Sequence, residues 1–149
     1  MITPNAIWQH VKQCAHTAYN ADEVPVGAVI VKDNCIIASA HNLTEKQHNA
    51  TAHAELLAIR YACSALNNKY LSQCDIYVSL EPCTMCAAAL AHVKIRRIYY
   101  GASDAKGGAC EHGVQYFNQP FCHHRPEIYG GFHERYFSEL LKSFFTAKR

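Results

Sequence analysis

Nothing in the sequence approaches the roughly 20 consecutive apolar residues that a membrane-spanning helix needs. The N-terminal stretch "MITPNAIWQHVKQ" has no basic segment leading into a long apolar block. The chain therefore reads as neither a membrane protein nor one led by a signal peptide, and its expected home is the cytoplasm. It lacks internal repeats, low-complexity tracts and linkers, so the 149 residues are expected to form a single domain, 1–149, with a real core. Charge is modest too: 14 Lys and Arg against 12 Asp and Glu leave a net +2. That permits contact with a nucleic acid but argues against a broad electrostatic footprint. With 50% hydrophobic and 17% charged residues, the balance is that of an ordinary globular protein.

Cysteine and histidine are what the chain has in excess, at 8 and 10. Without a sign of export, a disulfide framework is a poor explanation for the cysteines. The question becomes which of them bind metal and which are small buried hydrophobes. Cys14, Cys35, Cys63 and Cys74 fall within expected helices and strands and read as buried free thiols. Cys110, Cys122, His112, His123 and His124 have no assignment from sequence.

Thr3 and Pro4 suit an N-cap and first helical residue, opening a helix to about Tyr19. The runs "GAVIVK" and "CIIASA" read as strands joined by a tight Asp33-Asn34 turn. A polar loop from His41 to Ala50 leads into a helix carrying His53 and Glu55. "CDIYVSL" (74 to 80) is a strand, Pro82 a break, and "CTMCAAALAHV" an alanine-rich helix. "RRIYYGA" (96 to 102) and "PEIYGG" (126 to 131) read as further strands. "HERYFSELLKSFF" closes the chain as an amphipathic helix with Phe137, Leu140, Leu141 and Phe144 on one side. Strands separated by helices imply a three-layer α/β/α sandwich, with a mixed sheet because the first two strands form a hairpin. The irregular segment from Lys106 to Arg125 is of the kind that often carries function.

Cys83 and Cys86, in "EPCTMC", stand three apart at a helix's first turn, so both sulfurs reach one side. The positive end of the helix dipole favours thiolate there. A redox pair is the rival reading, weakened because no thioredoxin-like strand order surrounds the motif. His53 offers a third ligand: two helices preceded by adjacent strands of one sheet would start at the same sheet edge. One nitrogen and two sulfurs make a good zinc set, and three protein ligands would leave the fourth position to water. His41, His48, Cys110 and His112 are candidates for closing it, though none has a demanding spacing. Glu55 is then the proton-handling partner of such an open site. Its bland alternative is a first-turn acid complementing the helix dipole.

The stretches "HAE" (53 to 55) and "PCTMC" (82 to 86) resemble the H-x-E and P-C-x-x-C signature of zinc deaminases, whose glutamate is a general acid/base and not a ligand. Beyond the signature, the chain resembles the bacterial tRNA-specific adenosine deaminases (the TadA type) from about Ala6 to Lys148. The stretches that carry this are "DEVPVGAVIV" (22 to 31), "HN" (41 to 42), "TAHAELLAIR" (51 to 60), "YVSLEPCTMCAAAL" (77 to 90), "YGASDAKGGA" (100 to 109), "HRPEI" (124 to 128) and "FF" (144 to 145). The segment "ACEHGVQYFNQPFC" (109 to 122) departs from that pattern, and Ser103 stands where an arginine is common.

The resemblance implies a cytidine-deaminase-like fold, an α/β/α sandwich around a central mixed five-stranded sheet. It also implies a zinc-dependent hydrolase that converts the wobble adenosine of a tRNA anticodon to inosine, by zinc-activated hydroxide with Glu55 as proton shuttle. One Zn2+ per subunit would sit on His53, Cys83 and Cys86, in a homodimer with the tRNA anticodon stem-loop as partner. Carried over as substrate-binding are Asn42, Val26, Glu81, Asp104, Lys106 and Phe145, with Phe144 and Arg149 on the same C-terminal helix. Phe144 reads as core and Phe145 as exposed. Lys94, Arg96 and Arg97 are either phosphate contacts or a solvated face. The alternatives are a deaminase of a free base or nucleoside, of guanine or cytosine type, and a catalytically silent zinc or RNA-binding module.

Overall fold

The computed structural model describes residues 2–148; Met1 and Arg149, the latter matched above to the C-terminal helix, lie outside the described residues. The chain begins with helix α1 (Pro4–Asn20), where the Thr3 hydroxyl accepts the Ala6 N–H at 3.2 Å and Pro4 supplies a preset helical φ. Strands β1 (Gly27–Lys32) and β2 (Cys35–His41) follow as an antiparallel hairpin. Its turn residues Asp33 and Asn34 both take positive φ (51° and 59°), the backbone that two-residue hairpins need and that short polar side chains tolerate.

Next come α2 (Ala54–Leu66), β3 (Asp75–Leu80), α3 (Thr84–His92), β4 (Arg97–Ala102), β5 (Glu127–Tyr129) and α4 (Glu134–Ala147). A single 3-10 turn at Tyr116–Asn118 interrupts the long loop before β5 and buries Phe117. The five strands form one mixed sheet in the order β2-β1-β3-β4-β5. β1 runs antiparallel to both neighbours, whereas β3, β4 and β5 run parallel.

Layering follows from the strands' burial on both faces. One core joins α2, α3 and the long loop to the sheet through Ala58, Ala62, Ala87, Leu90 and Phe117, with Ile30, Ile76 and Ile98 from the strands. The opposite core joins α1 and α4 to Val29, Val31 and Tyr77 through Ile7, Trp8, Val11 and Phe137. This is the three-layer α/β/α sandwich expected. α4 buries Phe137 and Phe144 but leaves Leu140 and Leu141 half-buried, and Phe145 is 49% exposed.

Two expectations need correction. The strands that precede α2 and α3 are not adjacent, because β1 lies between β2 and β3. The two helices still start at one sheet edge, since β1 is antiparallel to each of those strands and they therefore point the same way. Cys35 is exposed rather than buried, because it follows the hairpin turn at the start of an edge strand. Arg96 and Arg97 both remain partly exposed while pairing with a carboxylate. Arg96 grips Asp75 through two hydrogen bonds of 2.9 and 3.0 Å, and Arg97 reaches the same carboxylate at 3.5 Å. Among the described residues, no helix is long and apolar enough to cross a membrane.

Candidate active site

The carboxyl ends of β2, β3 and β4 all open toward one edge, and the chain places a chemically distinctive residue just past each. Asn42 follows β2, Glu81 and Cys83 follow β3, and Asp104 follows β4, while Val26 immediately precedes β1. Open α/β sheets bind ligands at such an edge because loops there leave the sheet in different directions. The result is a cleft of ≈ 240 Å³ lined by Val24, Val26, Asn42, Thr44, His53, Glu55, Leu80, Glu81, Cys83, Asp104 and Gly107.

His53 and Cys83 occupy the N-cap positions of α2 and α3, and neither side chain caps its own helix. Both are thereby free to face one another across the edge. His53 Nδ1 lies 3.7 Å from Cys83 Sγ and 3.6 Å from Cys86 Sγ, and the three donor atoms all fall within 4.8 Å of one another. A tetrahedral centre with ordinary Zn–S and Zn–N bond lengths puts nitrogen and sulfur about 3.6 Å apart. The donor set and its spacing therefore fit a zinc ion. Among the described residues this is the one such grouping; His41, His48, Cys110 and His112 do not join it.

The electrostatics suit a cation as well. Cys83 is drawn down to about 4, first by its hydrogen bond with Cys86 and then by His53, while burial opposes the change. Cys86 moves upward because the same hydrogen bond and its burial hold its proton. One sulfur of the pair thus carries charge beside a helix N-terminus, an arrangement that the dipole favours. His53 is raised, chiefly by its contact with Cys83.

Glu55 lies in the first turn of α2 at 3% exposure, and burial lifts its carboxyl from the ordinary value to about 7. Its Oε1 atom is buried with no hydrogen-bond partner among the described residues. A carboxylate serving only the helix dipole would face solvent. This one is instead held beside the His53-Cys83-Cys86 group with an unpaired oxygen, a costly arrangement outside a functional site.

Asn42 is 6% exposed, and its side-chain oxygen accepts the Ala54 N–H at 2.7 Å. Glu81 borders the cleft, but both its oxygens are occupied by the loop beyond β4, at Asp104 N–H (3.0 Å), Cys110 N–H (3.2 Å), Glu111 N–H (2.9 Å) and His112 N–H (3.0 Å). These bonds, with His112 Nδ1, outweigh burial and hold the carboxyl below its ordinary value. Asp104 in turn accepts the N–H groups of Lys106 and Gly107 at 3.1 and 2.9 Å, closing a tight turn. Lys106 is exposed and Phe145 sits on α4; neither lines the cleft. Val24, Thr44 and Leu80 line it although sequence reading did not single them out. Apolar and hydroxyl side chains carry no motif, and only their nearness to strand ends marked them.

Fold and site together define a deaminase of the cytidine-deaminase-like class. A family model described as MafB19-like deaminase matches residues 3–149. The tRNA-specific adenosine deaminase of Agrobacterium fabrum is 53% identical over 91% of this chain and 89% of its own. A solved structure from biochemical and structural studies of A-to-I editing by tRNA:A34 deaminases superposes with a TM-score of 0.88 at 50% identity, covering 89% of this chain and 96% of that one. Guanine deaminase from Bacillus subtilis is more distant, at 29% identity and a TM-score of 0.66 over 95% of this chain and 94% of its own. The chain belongs to the MafB19-like deaminase family and, within it, to the bacterial tRNA-specific adenosine deaminases of the TadA type.

Proposed function

We propose that the protein hydrolyses the wobble adenosine of a tRNA anticodon to inosine and ammonia. The observation that carries this is the buried Glu55 carboxyl, with one oxygen unpaired, beside the His53-Cys83-Cys86 group, in a chain half-identical to a tRNA-specific adenosine deaminase.

In this reading His53, Cys83 and Cys86 hold one zinc ion per subunit, and Glu55 stands off it. Bound zinc supplies Lewis acidity and lowers the pKa of water to about 7. Glu55 moves the protons. It takes one from the attacking water, gives one to the adenine ring, and serves the departing amine, so that adenosine and water become inosine and ammonia. A carboxyl held near 7 by burial is matched to both taking and giving at neutral pH. Asn42 offers its amide N–H2 to the flipped nucleoside, while Val26 and Leu80 supply apolar walls. Asp104 shapes the opposite wall, and Lys106 and Phe145 meet the RNA outside the cleft. The protein acts as a single domain, as a homodimer, in the cytoplasm.

The deciding experiment incubates the zinc-loaded protein with an anticodon stem-loop bearing adenosine at the wobble position, and separately with free bases and nucleosides. Mass spectrometry showing inosine only in the RNA is the expected result. Ammonia from guanine or cytosine alone would overturn the reading in favour of a free-base deaminase, and no product from any substrate would favour a silent binding module.

A further inference from the structure

Two carboxylates are buried beside the cleft without facing the His53-Cys83-Cys86 group: Glu23 at 1% exposure and Glu81 at 2%. They share an unusual pattern. Glu23 follows the end of α1 and is tied to it by its own N–H, which donates to Ala18 O at 2.9 Å. Its Oε1 accepts the Glu45 N–H at 3.0 Å and the Thr44 hydroxyl at 3.4 Å, and its Oε2 accepts the Lys46 N–H at 2.9 Å. Every partner belongs to the loop after Asn42, and Thr44 lines the cleft. Glu81 does the same on the other side. All its partners lie between Asp104 and His112, including His112 Nδ1 at 2.7 Å, and this loop brings Asp104 and Gly107 to the cleft. The loop is drawn in so closely that a Cβ at Gly108 would meet Glu81 Cδ at 2.6 Å.

Buried carboxylates are a poor device for stability alone, since well-packed apolar residues commonly do as well or better. What a carboxylate does that an apolar side chain cannot is gather several backbone N–H groups from an irregular loop and fix their positions. Here both gathered loops are walls of the same cleft. With their oxygens so engaged, neither residue is available to a substrate.

We propose that Glu23 and Glu81 are positioning residues for deamination, each holding one wall of the cleft at the separation that a flipped nucleobase requires. The inference rests on the deaminase function proposed above.

The test compares the zinc-loaded full chain with its Glu23→Gln and Glu81→Gln variants. Glutamine keeps the shape but turns an N–H2 toward N–H donors, so the clamp fails while packing survives. Amide hydrogen exchange should quicken about tenfold or more at Glu45 and Lys46 in Glu23→Gln, and at Asp104, Cys110, Glu111 and His112 in Glu81→Gln, each leaving the other loop unchanged. With the stem-loop substrate, KM should rise about tenfold in each variant while kcat moves much less, a split that general destabilisation would not produce. Unchanged exchange at those amides overturns the proposal, as does loosened exchange with KM unaltered or with the loss confined to kcat. Wild type run alongside separates the two readings. If it fails to deaminate the stem-loop, the proposed substrate falls, while the exchange data still decide whether the carboxylates hold the loops.

Discussion

The side-chain oxygen of Asn42 accepts the backbone N–H of Ala54 at 2.7 Å, so a residue after β2 caps the helix that carries His53 and Glu55. α2 has no cap of its own, because the His53 side chain at the N-cap faces the cysteines instead. Asn42 makes up that deficit from outside the helix. Its amide nitrogen belongs to a side chain that lines the cleft.

The two ends of this amide can be tested separately. Asn42→Asp keeps an acceptor for Ala54 and removes the donor, so melting should stay within a few degrees of wild type while deamination falls. Asn42→Ala removes both, and should additionally cost about 1 kcal/mol of stability, the usual loss of an N-cap. Equal activity in Asn42→Asp and wild type would show that the amide nitrogen has no role with the substrate.

Glu55→Gln should raise stability and sharply lower activity together. The buried oxygen without a partner makes the carboxylate a strained resident of the core, and glutamine removes its charge. Stability is commonly exchanged for activity at sites of this kind. Deamination under single turnover should fall by about 100- to 10,000-fold, the usual worth of a general acid/base. Thermal melting of the zinc-loaded variant should sit above wild type. A lower melting temperature would refute the strain, and an unaltered rate would refute the proton shuttle.

Removing metal should loosen the site and silence it. The three donors come from two separate segments, the N-cap of α2 and the first turn of α3, so an ion bound to them cross-links the two helix starts. Metal analysis should find about one zinc per chain, reduced in His53→Ala and Cys83→Ser. Chelation should lower the melting temperature and stop deamination, with both restored by added zinc, because binding energy at such a site is also folding energy. Full activity in chelated, metal-free protein would rule out the zinc role.

Much of this was legible in the sequence wherever the signal was local. The spacing of Cys83 and Cys86, the proline before them, and the Thr3-Pro4 helix start are each set by a few neighbouring residues, and the structure has them as read. The resemblance supplied Asn42, which no local rule distinguishes from an ordinary loop asparagine. What local pattern could not give was pairing at a distance. The insertion of β1 between β2 and β3 depends on which strands meet, and the same alternation of apolar residues fits several orders. The capture of Arg96 by Asp75 likewise joins different elements. Glu23 did carry a signal: a carboxylate directly abutting the apolar run "VPVGAVIV" is out of place unless something satisfies it.

Gly27→Ala tests how the fold itself sets the cleft. A Cβ at this position would stand 2.6 Å from Val11 O, 2.7 Å from Cys14 Cβ and 2.9 Å from Ala15 N, so α1 lies directly on β1 where the strand begins. The backbone N–H of Gly27 also donates to Ser79 Oγ at 3.0 Å, locking β1 to β3 at the same level. Two of the three obstructing atoms are backbone, and neither can swing aside as a flexible side chain would. The helix must therefore lift or the strand must shift, and overpacking of this kind costs about 1–3 kcal/mol. Val26, one residue earlier, lines the cleft, so the same displacement should reach the site. The urea midpoint is expected to fall with an unchanged slope, and KM for the stem-loop to rise with it. A midpoint equal to wild type would mean that α1 does not press on β1 as closely as these distances state.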